Sequence, residues 1–322
     1  MSTPQPSSTR AVRRLATLTC LVALLPIGMG ALTTTMKAGM AFADWPSSDG
    51  QNMLLYPWFR DFRNSPDKFV EHGHRLAGVL IGCVAIALAV CGWRTGKGWI
   101  RNYSIALLVA VIAQGLLGGA RVLMNAQTMA MTHSLTGALF FASCAAFRLL
   151  LVQQWPDWLR VSDSSLSLGS FAVIVAMPAV ILAQYALGGA LRHLHVLRTE
   201  HALGAVVVLV ICSFVAVKLL LTSHPLLRMA GGLLLCTLLL QFALGLGAMM
   251  TRFGYREIGY VAVFGSLEQA IVCSLHTVAG MFLFASGCIG SLSTLRLYSA
   301  GCLKAVSADI AGQTVPAAGR AL

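Results

Sequence analysis

Long apolar runs separated by short polar segments dominate the chain, near 16–36, 68–92, 101–124, 129–152, 169–191, 201–222, 226–250 and 266–294. A hydrocarbon core about 30 Å thick is crossed by about 20 helical residues, so each run is long enough to span it. Strand-length alternation of apolar and polar positions is absent, which argues against an outer-membrane barrel. The pattern therefore predicts an all-α polytopic membrane protein of eight transmembrane helices. Its most polar interior stretch, Trp155-Pro156-Asp157-Trp158 to Leu168, divides the runs four and four. The expected segments are a tail over 1–15, a four-helix bundle over 16–154, a linker over 155–168, a second bundle over 169–294, and a tail over 295–322.

The halves repeat. His74 precedes Gln114 by 40 residues, and His201 precedes Gln241 by 40. A second histidine follows each glutamine, His133 after 19 residues and His276 after 35, so the second repeat carries a longer loop. Because each half has an even number of spans, the duplication keeps its orientation, and the repeats are expected to be related by an axis along the membrane normal. These are two tandem pseudo-symmetric four-helix bundles. All four histidines then lie at the start of even-numbered helices, toward the outer leaflet.

Composition supports the membrane reading, with 57% hydrophobic and 11% charged residues and a mean hydropathy of +0.77. Arg10, Arg13 and Arg14, then Arg94, Lys97 and Arg101, place these segments and both termini in the cytoplasm. The net charge of +12 is thus partly topology, and nucleic-acid binding is not needed to explain it. The first run, followed by Ala41-Phe42-Ala43, also has features of a cleaved signal. That site lies far beyond the apolar core, so retention is the better reading. The nine cysteines lie in or beside predicted helices and form no zinc-type cluster, so they read as packing residues.

An ionisable side chain inside a membrane is costly and usually functional. Neutral imidazole is a good iron ligand, and two from facing helices hold a haem in a bundle core. The expected pairs are His74 with His133 and His201 with His276. His-x-x-x-Gly patterns at His74, His133 and His276, with Gly204 one place earlier after His201, put a glycine on each histidine's face. There it would leave room for a flat ligand or a close helix. Arg75, Arg121, Arg192, Arg198, Arg252 and Arg256 cluster at the outer helix ends, where guanidinium groups match haem propionates. Glu71, three residues before His74, shares its face and is the candidate proton acceptor, or else a helix-start acid. His72, His193, His195 and His224 fall outside the repeat and read as interfacial or solvated. The outer loop carrying Trp45, Tyr56, Trp58 and Phe59 reads as an interfacial belt or a lid.

The run Glu71-His72-Gly73-His74-Arg75-Leu76-Ala77-Gly78 resembles the E-x-x-H-R signature of the haem A synthase family. The outer-loop Ala43-Asp44-Trp45-Pro46 and the Gln-x-x-x-Gly-Gly stretches at Gln114 and Gln184 look like the same family. The resemblance implies oxidation of one methyl substituent of haem O to the formyl group of haem A, through hydroxylation, a second oxidation to the hydrate, and loss of water. It implies a substrate haem between His74 and His133, a haem b between His201 and His276, and Glu71 serving the reaction. Expected partners are haem O, haem O synthase, terminal oxidase assembly factors, membrane lipid and an electron acceptor of unspecified identity. The bacterial cytoplasmic membrane is the expected location, ahead of the mitochondrial inner membrane. Some members carry a cysteine pair in the first outer loop, and this chain has none there.

Two other readings stay open on the residues. A non-catalytic dihaem b-type cytochrome exchanging electrons with quinone would use the same histidine pairs. A transporter built from parallel repeats would use histidines for protons or cations, but the broken helices expected of one are not evident.

Overall fold

The computed structural model describes residues 7–152, 164–300 and 303–306. Among these described residues, eight helices are long and apolar enough to cross a membrane: α1 Ser7–Thr35, α3 Pro66–Trp93, α4 Gly98–Met124, α5 Gln127–Leu150, α6 Leu168–His193, α7 Arg198–Leu220, α8 Pro225–Phe253 and α9 Leu267–Ser299. The chain is a multi-pass membrane protein. A short α2, Asp61–Asn64, lies in the long loop between α1 and α3. Strands β1 Ser164–Ser167 and β2 Leu303–Val306 pair in parallel beside the ends of α6 and α9. Residues 7–15, expected in a tail, instead open α1, and α9 runs five residues past the predicted boundary at 294. Most of the 155–168 linker lies outside the described residues.

Local chemistry sets the helix ends. Proline occupies the first turn of α3 and of α8, where its missing N–H costs nothing. The Oγ of Ser266 accepts from the Gln269 amide and caps α9. Asn125 turns left-handed, φ +47°, to stop α4, and α5 begins two residues later. The corresponding α8 to α9 connection spans 254–266, which is where the longer loop of the second repeat falls.

The helices pack as two closed rings of four. In the first, α1 touches α3, α3 touches α4, α4 touches α5, and α5 returns to α1. The second repeats this order with α6, α7, α8 and α9. The rings join where α9 meets α5 and α1, and where α5 meets α6. Exchanging the halves maps these contacts onto each other, as an approximate two-fold axis between α5 and α9 requires. At that seam Phe141 and Phe282 meet edge to face at 5.2 Å. Helix α9 is the most enclosed, with Leu283, Phe284 and Ala285 all buried. The outer faces of α4 and α7 instead expose Val109, Leu116, Val206 and Val210, as lipid-facing helices do.

Candidate functional site: two histidine pairs in two helix rings

The histidines of each ring come from diagonally opposed helices. His74 on α3 and His133 on α5 bring their rings to a centroid distance of 6.1 Å, with planes at 88°. His201 on α7 and His276 on α9 meet at 6.4 Å and 81°. Each ring lies against a glycine on the neighbouring helix that precedes it in the chain. A Cβ built on Gly30, Gly118, Gly188 or Gly245 would come within 2.9, 3.2, 2.9 and 3.0 Å of Cε1 of His74, His133, His201 and His276 respectively. In all four cases Cε1 and Nδ1 are nearest to the glycine and Nε2 is farther away. One posture is therefore used four times, and no hydrogen bond to any of these Nε2 atoms occurs among the described residues.

These seating glycines differ from the ones singled out in the sequence. Gly78 has no side-chain neighbour, and Gly137, Gly204 and Gly280 receive the glutamines Gln114, Gln184 and Gln241 rather than the histidines. Each of these three glutamines precedes a seating glycine by four residues, so Gln-x-x-x-Gly is the motif that carries the seat. In α1 the same place holds Pro26, four before Gly30, which hides the fourth copy. There the Nδ1 of His74 lies 2.9 Å from the Pro26 carbonyl oxygen, which can only accept. The proton is then on Nδ1, and the lone pair is on Nε2. In the second ring Gln184 Nε2 donates to the His201 carbonyl at 2.8 Å and lies 3.1 Å from its Nδ1. Nδ1 of His133 and of His276, and Oε1 of Gln114, Gln184 and Gln241, are buried without a hydrogen-bond partner among the described residues.

The donor set decides what such a pair can hold. A bare zinc ion takes three or four protein ligands, and no group of three or more histidine, cysteine or carboxylate side chains forms among the described residues. A macrocycle supplies its own equatorial ligands and needs only two axial imidazoles. An ion bonded at about 2.0–2.1 Å to two opposed imidazole nitrogens sets the ring centroids roughly 6 Å apart. Both pairs fit a haem.

Glu71 is buried rather than an exposed helix-start acid, at 1% exposure. Its Oε2 accepts from the Ala41 and Phe42 amides at 2.7 and 3.2 Å, and its Oε1 from Arg75 Nη2 at 2.8 Å. Arg75 Nη1 donates to the Asp44 and Ser47 carbonyls at 2.9 and 2.7 Å. This acid and its arginine fasten the α1–α3 loop to α3. Trp45 of that loop packs flat against Gly119 of α4, which closes it across the first ring. The loop is a lid more than a belt. Trp58 stacks on Phe69 at 4.7 Å and Tyr56 is buried, while Phe59 stays exposed. Burial and then the hydrogen bond to Asp61, 2.7 Å long, push the Tyr56 hydroxyl above its ordinary pKa.

His72 corrects the expectation of a solvated residue. It is fully buried beneath this lid, its Nδ1 3.1 Å from Ser48 Oγ and its ring 4.8 Å from that of Tyr56. His224 is buried too, and its side chain caps α8 through the Leu226 amide. His193 is half-buried and His195 exposed.

The arginines separate into groups. Arg121 lies against Gly39 at the lid, with Nη1 2.9 Å from where a Cβ would stand. Arg192 crosses between the rings, donating to Thr277 Oγ1 beside His276, to the Ala31 carbonyl at 2.5 Å and to Thr35 Oγ1 at 2.8 Å. Arg252 is half-buried in the last turn of α8. Arg198 points outward over the Phe253 ring at 3.8 Å, and Arg256 is exposed. One residue missed in the sequence links the rings: Tyr185, whose hydroxyl lies 3.1 Å from Ser134 Oγ beside His133 while its ring covers Gly280 one turn beyond His276.

Residues 13–200 match the cytochrome oxidase assembly protein family. That span contains the first ring, with His74 and His133, and stops one residue before His201. A protein named Heme A synthase from Mesorhizobium japonicum is 32% identical over 136 residues, 40% of this chain and 37% of that protein. One of the same name from Shouchella clausii is 31% identical over 138 residues, covering 42% and 44%. A third, from Rhizobium rhizogenes, is 29% identical over 149 residues, covering 44% and 40%. The matched region thus spans about two fifths of the length of these curated relatives.

Proposed function

Because the chain belongs to the cytochrome oxidase assembly protein family, we propose that it oxidises a methyl substituent of haem O to the formyl group of haem A. Haem A then supplies the terminal oxidase. His74 and His133 hold the substrate haem, and His201 and His276 hold a resident haem b, which supplies one-electron redox chemistry when bound. Arg121 and Arg192 offer cations to propionates at the outer ends of the rings, with Arg252 nearby. The Glu71–Arg75 pair serves the first site alone. It keeps the lid over that ring and places a buried carboxylate beside the His74 turn, where it accepts protons as the methyl group is oxidised. Oxidation proceeds through the hydroxylated methyl and its hydrate, which loses water. Each oxidation takes its oxygen atom from a water molecule and releases two protons and two electrons, the electrons passing to an acceptor outside this chain.

The observation that carries the reading is a pair of imidazoles in the same posture in both rings, joined in one ring only by a buried acid and a lid. A dihaem cytochrome that only moves electrons has no use for that asymmetry. The setting we propose is a bacterial cytoplasmic membrane, with both termini in the cytoplasm and the histidines toward the outer leaflet. Haem O synthase and oxidase assembly factors are the expected partners.

The test is chromatography of acid-extracted haems from membranes making this protein together with a haem O source. Haem A or its hydroxylated precursor is expected. Unaltered haem O, with a competent electron acceptor present, overturns the proposal.

A further inference from the structure

At the membrane face opposite the four histidines, the start of α1 and the end of α5 form an open cleft of about 370 Å³ lined by Arg10, Arg13, Arg14, Thr17 and Arg148. Clefts that bind small ligands occupy roughly 300–1,000 Å³. Basic residues before a first span are an ordinary orientation signal, but this group has features that the signal does not require. Arg148 comes from the last turn of a different helix and is drawn into the group by its Nε, which donates to Thr17 Oγ1 at 2.8 Å. Among the described residues, no carboxylate is ion-paired with any of the four arginines. Four guanidinium groups that converge without a counter-charge favour an anion, and their planar donor forks suit the oxygens of a phosphate. Below the cleft, α1 exposes Leu18, Leu21 and Leu25 at 43, 59 and 49%. These follow Arg14 at helical spacing and so continue down the same face.

We infer that this cleft is a binding site for an anionic phospholipid, its phosphate held by Arg13 and Arg148 and its acyl chains lying along Leu18, Leu21 and Leu25. A basic pocket between helix ends above an apolar stripe recognises both parts of such a lipid. A free phosphate uses only the upper part, and a zwitterionic lipid brings its own cation into a cleft already crowded with them.

The experiment titrates the full-length protein in neutral detergent with phosphatidylglycerol, phosphatidylcholine or inorganic phosphate and reads retained ligand by native mass spectrometry. Phosphatidylglycerol is expected to bind selectively. R13Q/R148Q is expected to weaken it roughly 30-fold, at about fivefold per arginine near a membrane surface. R228Q, an exposed arginine at the start of α8 outside the cleft, should leave it unchanged. If R13Q/R148Q fails to accumulate, R10Q/R14Q, at two exposed positions, is expected to lower affinity in the same direction. Equal phosphatidylglycerol affinity in wild type and cleft variants overturns the site. Equal binding of phosphatidylcholine overturns its selectivity for anionic lipid, and inorganic phosphate binding as tightly as phosphatidylglycerol overturns the lipid in favour of the free ion.

Discussion

Three residues before its first histidine the N-terminal ring holds Glu71, and one residue after it Arg75; the C-terminal ring holds Arg198 and Ala202 at the same positions. The first pair is buried, with side chains 2% and 7% exposed, and fastens a long loop across the ring. The second ring enters α7 through a short connection, 194–197, and its Arg198 turns outward onto Phe253. The imidazoles nevertheless sit alike, each against a glycine and at matching separation from its partner. Duplication kept the ligand frame, where an added Cβ would press to within 2.9–3.2 Å of an imidazole carbon, and let the surrounding residues diverge. The frame sets what can be bound, and the surroundings set what happens to it.

The sharpest way to break this comparison is at Glu71. Glu71→Ala is expected to lower haem O turnover by roughly 10²–10⁴-fold, the range for loss of a positioned proton acceptor, while a haem bound by the second ring stays. Leaving Arg75 buried without its partner also costs about 3–5 kcal/mol of stability. Glu71→Gln also removes the charge opposite Arg75 but spares the contacts to the loop amides. It keeps an acceptor for the Ala41 and Phe42 amides, so proteolysis of the lid should stay slow while turnover falls. Full turnover in Glu71→Gln would leave the carboxylate with only a fastening role.

A smaller effect is expected at the seats. Gly188→Ala puts a methyl group 2.9 Å from Cε1 of His201, and overpacking of this kind costs roughly 1–3 kcal/mol. The His201 ring must tilt, so the spectrum of the second-ring haem should change while the first ring still turns over substrate weakly or normally. Gly30→Ala should do the converse through His74. Identical spectra and activities in both variants would show that the seats do not position the rings.

The smallest effect concerns the lid's edge. Burial pushes the Asp44 carboxyl up, but hydrogen bonds from the Ser47 side chain and from the Gly50 and Asp49 amides outweigh it and hold its pKa below the ordinary carboxylate value. A depressed folded pKa contributes stability that is present above the unfolded value and lost as pH falls through the folded one. The protection factors of the Asp49 and Gly50 amides should therefore be high near neutral pH and fall below about pH 4. Flat protection across that window would mean that Asp44 does not hold the turn.

The ring architecture was legible because spans of a membrane protein announce themselves by length, and because histidine is rare enough in such spans for a 40-residue repeat to stand out. The pairing of His74 with His133 and of His201 with His276 followed from placing all four at one depth. The seats were not legible. A glycine four residues after a histidine shares its helix face, but the ring leans onto the adjacent helix, so its neighbour is a glycine far away in sequence. Gln-x-x-x-Gly was visible three times, yet nothing in spacing alone says that the glycine receives an imidazole. His72 was misplaced for a related reason. Helix periodicity put it off the His74 face, but the face it does occupy is covered by the outer loop, and loop packing leaves no periodic trace. The lid itself was only half visible, since aromatic residues at a membrane surface suit a belt as well as a cover.

The central claim is that the two rings hold haems for different purposes, and the most direct test compares His74→Ala with His276→Ala in membranes supplied with haem O. His74→Ala is expected to retain a low-spin haem B spectrum and make no haem A, whereas His276→Ala is expected to fold but lose that spectrum. Loss of the haem B spectrum in His74→Ala together with its retention in His276→Ala, or the same haem content in both, would contradict it.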